Sequence, residues 1–202
     1  KYIFKEKKST KNPTLNSGSI SFGEVIYKND EKVTEFTKNS YQEVLSGEFL
    51  INPLNLNFDL KSLRIALSKI DVVVSQGYII LQLNKGFYTD YFKFLLRKFD
   101  VEHMKSLGQG VRQTISFNNI KDEFLVIPPI REQKLIAKYL DKKTQSIDLL
   151  VKKIEKKIEI LKDKKTTLIN QYLTKGLNHE FEKKDSEVEY IGTIPADWSI
   201  KK

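Results

Sequence analysis

The sequence predicts a mixed α/β (α+β) globular domain followed by one long α-helix. Three observations carry this. Val72-Val73-Val74 and Tyr78-Ile79-Ile80-Leu81-Gln82-Leu83 are short, β-branched, apolar runs of strand length. Tyr88 to Phe99 places Tyr91, Phe92, Leu95, Leu96 and Phe99 on one side at helical spacing. Pro128-Pro129 then closes the mixed region, and no further proline or glycine occurs until Gly176.

Taken in order, Tyr2 to Lys8 reads as a short helix or strand. Lys11 to Ser19 is loop-like, being rich in Asn, Pro, Ser and Gly. Gly23 to Tyr27 reads as a strand and Lys28 to Lys32 as a turn. Val44 to Ile51 is apolar and stops at Asn52-Pro53. The two strands 72–75 and 78–83 join through Gln76-Gly77, as in a hairpin. Leu107 to Thr114 is a loop around Gly108 and Gly110, and Ile120 to Ile127 is expected as a last strand.

The long helix starts near Pro129, since first-turn amides lack helical partners and proline costs little there. Its apolar seam is Ile136, Leu140, Ile147, Leu150, Ile154, Ile158, Leu161, Leu168 and Tyr172, spaced mostly by three, four or seven and interrupted by Lys143 and Lys165. Forty-five residues would extend about 68 Å, which favours pairing with a second helix over folding back on the domain. Gly176 is the expected C-cap. Residues 178–190 read as a charged linker. Tyr190 to Trp198 is a small apolar cluster holding the sole tryptophan, expected to dock on this chain or a partner. The organisation expected is a domain over 1–128, a helix over 129–176, and a linker with the opening of another repeat over 177–202.

The 202 residues carry a net charge of +9, distributed as +4 over 1–130, +7 over 131–175 and −2 over 176–202. A basic helix beside a mildly basic domain suits a polyanion, as it also suits a well-solvated helix face. The chain lacks cysteine, which excludes disulfides and thiolate metal sites and fits a reducing cytoplasm. No apolar run approaches membrane-spanning length, and Lys1 to Phe4 does not read as a signal peptide. A cytoplasmic location without a membrane partner is expected.

No glycine-rich phosphate loop occurs. His103 and His179 are far apart, without metal-ligand spacing. Asn52-Pro53-Leu54-Asn55 lacks the aromatic that amino-methyltransferases stack on a target base, and reads as a turn. Ser75 has no histidine near it in sequence. Binding is therefore the expected activity, with no catalytic residue, metal or cofactor assigned.

Reading base edges needs side chains with paired donors and acceptors, and positioning needs cations at phosphates. Three stretches offer these. Gln109, Gly110, Arg112, Gln113 and Thr114 lie in a glycine-containing loop that permits close approach. Lys28, Lys32, Lys38, Ser40, Tyr41 and Gln42 form a basic, polar stretch. Ser75, Gln76 and Tyr78 break two apolar strands. Each also reads as ordinary loop, turn or hairpin.

Ile127 to Gln133, Ile136 to Asp141, Thr144, Ile147 to Leu150, Ile158 to Leu161, Leu168-Ile169 and Thr174 to Leu177 together resemble the specificity subunit of type I restriction–modification enzymes. Ile191-Gly192 with Ile194 to Trp198 is similar to the same family. Val73 to Ser75 with Tyr78, and Gly108 to Arg112, resemble its target-recognition domains. The resemblance implies that the domain reads one half of a split site in double-stranded DNA. It implies that the helix pairs with a counterpart as an antiparallel coiled coil, setting the gap between half-sites. It further implies that methyltransferase subunits, which bind S-adenosylmethionine, dock on this scaffold, and that a restriction subunit using ATP can join them. Full specificity subunits hold two such domains and two helices. One repeat implies a half-subunit acting as a homodimer, or a fragment. Two other readings stay open: the recognition region of a single-chain restriction–methylation enzyme, and a coiled-coil protein-interaction module.

Overall fold

The computed structural model describes residues 2–54, 63–108, 114–177 and 182–201. It divides into two compact units, Lys1–Asp141 and Lys142–Lys202.

The first unit is built on an antiparallel sheet of β1 (Phe4–Glu6), β5 (Phe49–Ile51), β6 (Ile65–Leu67) and β8 (Ile79–Leu83), in spatial order β1-β8-β5-β6. Both faces of this sheet are covered at β5, β6 and the start of β8, which is why these read as continuous apolar runs rather than alternating ones. On one face, Phe49, Ile51, Ile79 and Leu81 pack with Tyr91, Phe92 and Leu96 of helix α2 (Thr89–Glu102) and with Met104. Phe92 is the hub: Phe4, Phe87 and Tyr91 meet it edge-on at 5.3, 5.6 and 5.4 Å, the arrangement that the ring quadrupole favours. On the other face, Leu50 and Ile80 pack with Val44, Val72 and Val74. These valines belong to β4 (Gln42–Val44) and β7 (Val72–Val74), an antiparallel pair forming a second layer.

A two-stranded ribbon, β2 (Gly18–Ser21) and β3 (Glu24–Tyr27), adjoins that layer. Gly18 is needed because a Cβ there would lie 2.8 Å from Val72 Cγ2. A short helix α1 (Glu35–Asn39) follows, N-capped by Thr34, whose hydroxyl accepts from Thr37 N at 3.2 Å. A buried polar network ties the layers. Lys7 Nζ lies 2.9 Å from Glu48 Oε2, while Gln82 Nε2 and Leu45 N donate to the same carboxylate at 2.6 and 2.9 Å.

Two expectations are corrected here. The strands 72–74 and 79–83 exist but do not pair with each other. β7 pairs with β4, and β8 pairs with β1 and β5, so Ser75–Tyr78 is a corner between layers and not a hairpin turn. Ile120–Ile127 is not a strand. Helix α3 (Phe117–Ile120) ends at its start, and the rest runs without a β-partner. Within its apolar run, Leu125 packs on the core while Phe124 and Val126 face solvent. The Val126 carbonyl is satisfied by Tyr91 Oη at 2.9 Å instead of by a ladder.

The long helix is α4 (Ile130–Lys175), beginning directly after the double proline. At 1.5 Å per residue its 46 residues extend about 69 Å. Within the first unit it is fixed by Ala137 and Ile136, which join the core, and by Gln133.

In the second unit α4 ends at Gly176, whose φ of +71° and N–H bond to Tyr172 O at 3.2 Å form a left-handed C-cap. The segment expected as a linker contains a strand. β9 (Lys183–Asp185) pairs antiparallel with β10 (Thr193–Pro195), and Ile194, Pro195 and Ser186 are buried. Trp198 packs on the helix end: a Cβ on Gly176 would meet its ring at 3.2 Å. The tryptophan cluster thus docks on this chain, where glycine supplies both the backbone twist and the room.

Candidate nucleic-acid interface

The polar candidates of the first unit converge on the corner between the two layers. Gln42 Nε2 donates to Ser75 O at 3.1 Å and Tyr78 O at 2.8 Å. Gln76 Nε2 donates to Ser9 Oγ at 2.9 Å and Ser40 O at 3.0 Å. The turn is closed by Tyr78 N to Ser75 O at 3.2 Å. Ser40, Gln42, Ser75, Gln76 and Tyr78, drawn from two separate stretches of sequence, therefore share one locus.

Their surroundings differ. Ser40, Ser75 and Gln76 are exposed. Gln42 is 5% exposed, with its amide committed to two backbone carbonyls, so it clamps the corner from inside. Tyr78 is half-buried. Burial pushes its phenol above the ordinary tyrosine value, while the Ile20 backbone amide and the Arg64 charge work the other way.

Lys38 is engaged within the fold. Its Nζ lies 2.8 Å from Asp30 Oδ2, and both Asp30 oxygens accept from Ser17 N at 3.1 and 3.2 Å. The bond from Lys38, with that of Ser17, holds the Asp30 carboxyl below its usual range. Lys38 is thus a brace that fixes the 3-10 turn Asp30–Lys32 on the sheet, through the Ser17–Val73 bridge. Lys28 is exposed, and its amide donates to Ser17 O at 2.8 Å. Lys32 ends the same 3-10 turn.

Gln109, Gly110, Arg112 and Gln113 lie outside the described residues. Thr114, which follows them, is half-buried, and the next amide, Ile115 N, donates to Pro53 O at 3.1 Å. This anchors one end of the loop beside Asn52-Pro53, where Asn52 Oδ1 accepts from Leu54 N at 3.2 Å in an Asx turn. His103 is a surface residue, 2.8 Å from Glu123. His179 lies outside the described residues. Among the described residues no cluster of His, Asp or Glu could hold a metal ion, and no helix is long and apolar enough to cross a membrane.

Two features escaped the sequence reading. Asp100 is fully buried and accepts from Arg64 N at 2.5 Å and Ile65 N at 3.0 Å. Burial raises its pKa, and those two amides oppose the rise. Gln133 is 2% exposed. Its Oε1 accepts from Tyr88 N at 3.0 Å, and its Nε2 donates to Pro128 O at 2.8 Å. A signal existed for it: Gln133 sits four residues before Ala137 and seven before Leu140, a polar residue at seam spacing.

Beyond Asp141 the seam is uncovered. Ile147, Leu150, Ile154, Ile158, Leu161 and Tyr172 are 43–58% exposed, and Leu168 is 38% exposed. Ile136 and Leu140, by contrast, are half-buried.

The chain belongs to the type I restriction–modification DNA specificity domains: that family matches residues 2–160. It is 30% identical over 208 residues to the type I restriction enzyme MjaVIII specificity subunit of Methanocaldococcus jannaschii, covering all of this chain and 45% of that protein. It is 28% identical over 196 residues to a protein named as the MjaX specificity subunit of the same organism, covering 95% of this chain and 44% of that one. The chain thus spans less than half the length of these relatives. Among solved structures, a chain from work described as "Structural basis underlying complex assembly and conformational transition of the type I R-M system" superposes with a TM-score of 0.53 at 15% identity. It covers 64% of this chain and 31% of that one, and it establishes the fold.

Proposed function

We propose that this chain is a non-catalytic, sequence-specific DNA-recognition region that reads one half of a bipartite double-stranded site. Its first unit touches the DNA. Its helix pairs antiparallel with a second such helix, in a homodimer or within a longer subunit, and the pair carries methyltransferase subunits and, where present, a restriction subunit. The work is done in the cytoplasm. Family membership gives the DNA specificity, and the bare seam from Ile147 to Tyr172 carries the pairing. A stripe of this length in water is costly, and a like stripe is the simplest cover.

DNA contact is assigned to Ser75 and Gln76 at the corner locus, to Lys28 after the ribbon, and to the loop Gln109 to Thr114. Gel shifts on duplex DNA, with and without the methyltransferase subunit, test the reading. Preference for one duplex over a scrambled one is the expected result. Equal affinity for both, with and without the subunit, would overturn sequence recognition. A binding constant that ignores salt would remove phosphate contact as well.

A further inference from the structure

A solitary exposed phenylalanine is ordinary, but one held at positive φ is not. Phe22 is 88% exposed and has φ +48°. With Gly23, at φ +77°, it forms the two-residue loop joining β2 to β3, where Ser21 pairs with Glu24. Positive φ at both loop positions is the requirement of a type I′ hairpin turn, which Asn-Gly meets best. Gly23 satisfies it, and a Cβ at that site would also lie 2.6 Å from Leu63 Cδ1. Phe22 does not: its β-carbon is sterically strained and its ring stands in water. Asparagine would relieve both penalties, so folding does not account for phenylalanine here, and strain held at an exposed tip points to use.

The ribbon behind Phe22 is two-faced. Ile20 and Val25 turn inward to the valine layer. The register pairs Ser19 with Ile26 and Ser21 with Glu24, which places these four on the opposite face. That row offers two hydroxyls, one carboxylate and one aliphatic group. Lys69, itself well exposed, lies 3.9 Å from Glu24 and sets a cation at the ribbon's flank. The Tyr78 phenol meets the Ile20 backbone, so the ribbon adjoins the polar corner described above.

We propose that the β2–β3 ribbon enters a DNA groove and that Phe22 is its base-contacting tip. The major groove admits a two-stranded ribbon. Serine hydroxyls serve any base edge, a glutamate accepts from the cytosine amine, and apolar groups meet the thymine methyl. An aromatic tip adds apolar contact with a thymine methyl, which no phosphate-binding residue supplies. The inference rests on the DNA-reading proposal and assigns its specificity to a named element.

The test uses the full chain and a pool of duplexes with a randomised 20-bp core, about two turns of DNA at ~10 bp per turn. Duplexes retained by the wild type are enriched, and the best is measured against a scrambled duplex with wild type, Phe22→Asn and Phe22→Tyr. Phe22→Asn is expected to raise Tm by about 2–4 °C through relief of the turn. It is expected to weaken the enriched duplex about 5–150-fold, the range of one lost base contact. The scrambled duplex should change by less than about threefold, and Phe22→Tyr should restore most of the affinity, since tyrosine keeps the ring that meets a thymine methyl. Unchanged affinity of Phe22→Asn for an enriched duplex overturns the tip and leaves the DNA reading standing. If wild type enriches no sequence, the DNA reading fails and the tip fails with it.

Discussion

Replacing Gln133 by alanine removes one side chain that satisfies two backbone groups at once, the Tyr88 amide at the head of α2 and the Pro128 carbonyl before α4. Gln133 is 2% exposed, so water does not readily take its place. Each orphaned buried group costs about 1–3 kcal/mol, and partial relaxation brings the pair to about 2–4 kcal/mol. In a chain of this size, ~1 kcal/mol moves Tm by about 2–4 °C, so a fall of roughly 5–15 °C is expected. Far-UV circular dichroism is dominated by α4, and Trp198 lies in the second unit. Near-UV circular dichroism of the tyrosines is therefore the assay. Gln133→Glu sharpens it. The glutamate keeps the acceptor for Tyr88 N but turns a carboxylate oxygen against Pro128 O. Protonation restores a donor, so the variant's folded-state pKa is raised. Its stability should recover as pH falls through that raised value, opposite to an ion-paired acid. An alanine variant within about 1 °C of wild type, or a glutamate variant with no such recovery, would refute the role given to Gln133.

Further outcomes follow from the same contacts. Ile154→Lys or Leu161→Lys should leave the first unit folded but halve the mass seen by light scattering, because each costs about 2–4 kcal/mol over two paired helices; an unchanged dimer mass would count against seam pairing. Arg112→Ala is expected to weaken a preferred duplex by about 1–3 kcal/mol if Arg112 reads a guanine, whereas an equal loss on every duplex would make it a phosphate contact. The Asp30 pKa is depressed by Lys38, so its contribution is intact above the ordinary carboxylate value of 3.8 and disappears as pH falls below it; Asp30→Asn should flatten acid unfolding in that window, measured by pH titration of Tm. Asp100→Ala should destabilise by about 2–4 kcal/mol in urea, because Arg64 N and Ile65 N lose their acceptor.

The parts legible in the sequence are those whose local pattern has one solution. A long run without proline or glycine, begun by Pro128-Pro129, ended by Gly176 and carrying apolar residues three, four or seven apart, reads as a helix with a stop. Tyr91, Phe92 and Leu96 mark a buried helix face by spacing alone. Val72–Val74 and Ile79–Leu83 were legible as strands but not as partners, since both are covered on two faces and carry no alternation to fix a neighbour. Ile120–Ile127 reads as a strand because a short contiguous apolar run before a proline pair also arises when an irregular segment lies on a core. Strand β2 was hidden by its small residues, chosen for the approach of Gly18 to Val72. β9 was hidden by its charges. At the candidate interface, polarity alone could not separate Gln42 and Lys38, which brace the fold, from Ser75 and Gln76, which face solvent. That distinction depends on burial, which only the packed structure supplies. Phe22 carries no signal in the sequence, because its meaning lies in a backbone angle.

The most direct measurement is a map of methylated bases in DNA from cells expressing this chain with a methyltransferase subunit that pairs with it. The account predicts methylation at an interrupted sequence of fixed spacing, palindromic if two copies of this chain pair. Methylation scattered without a sequence rule, or confined to an uninterrupted site, would contradict it.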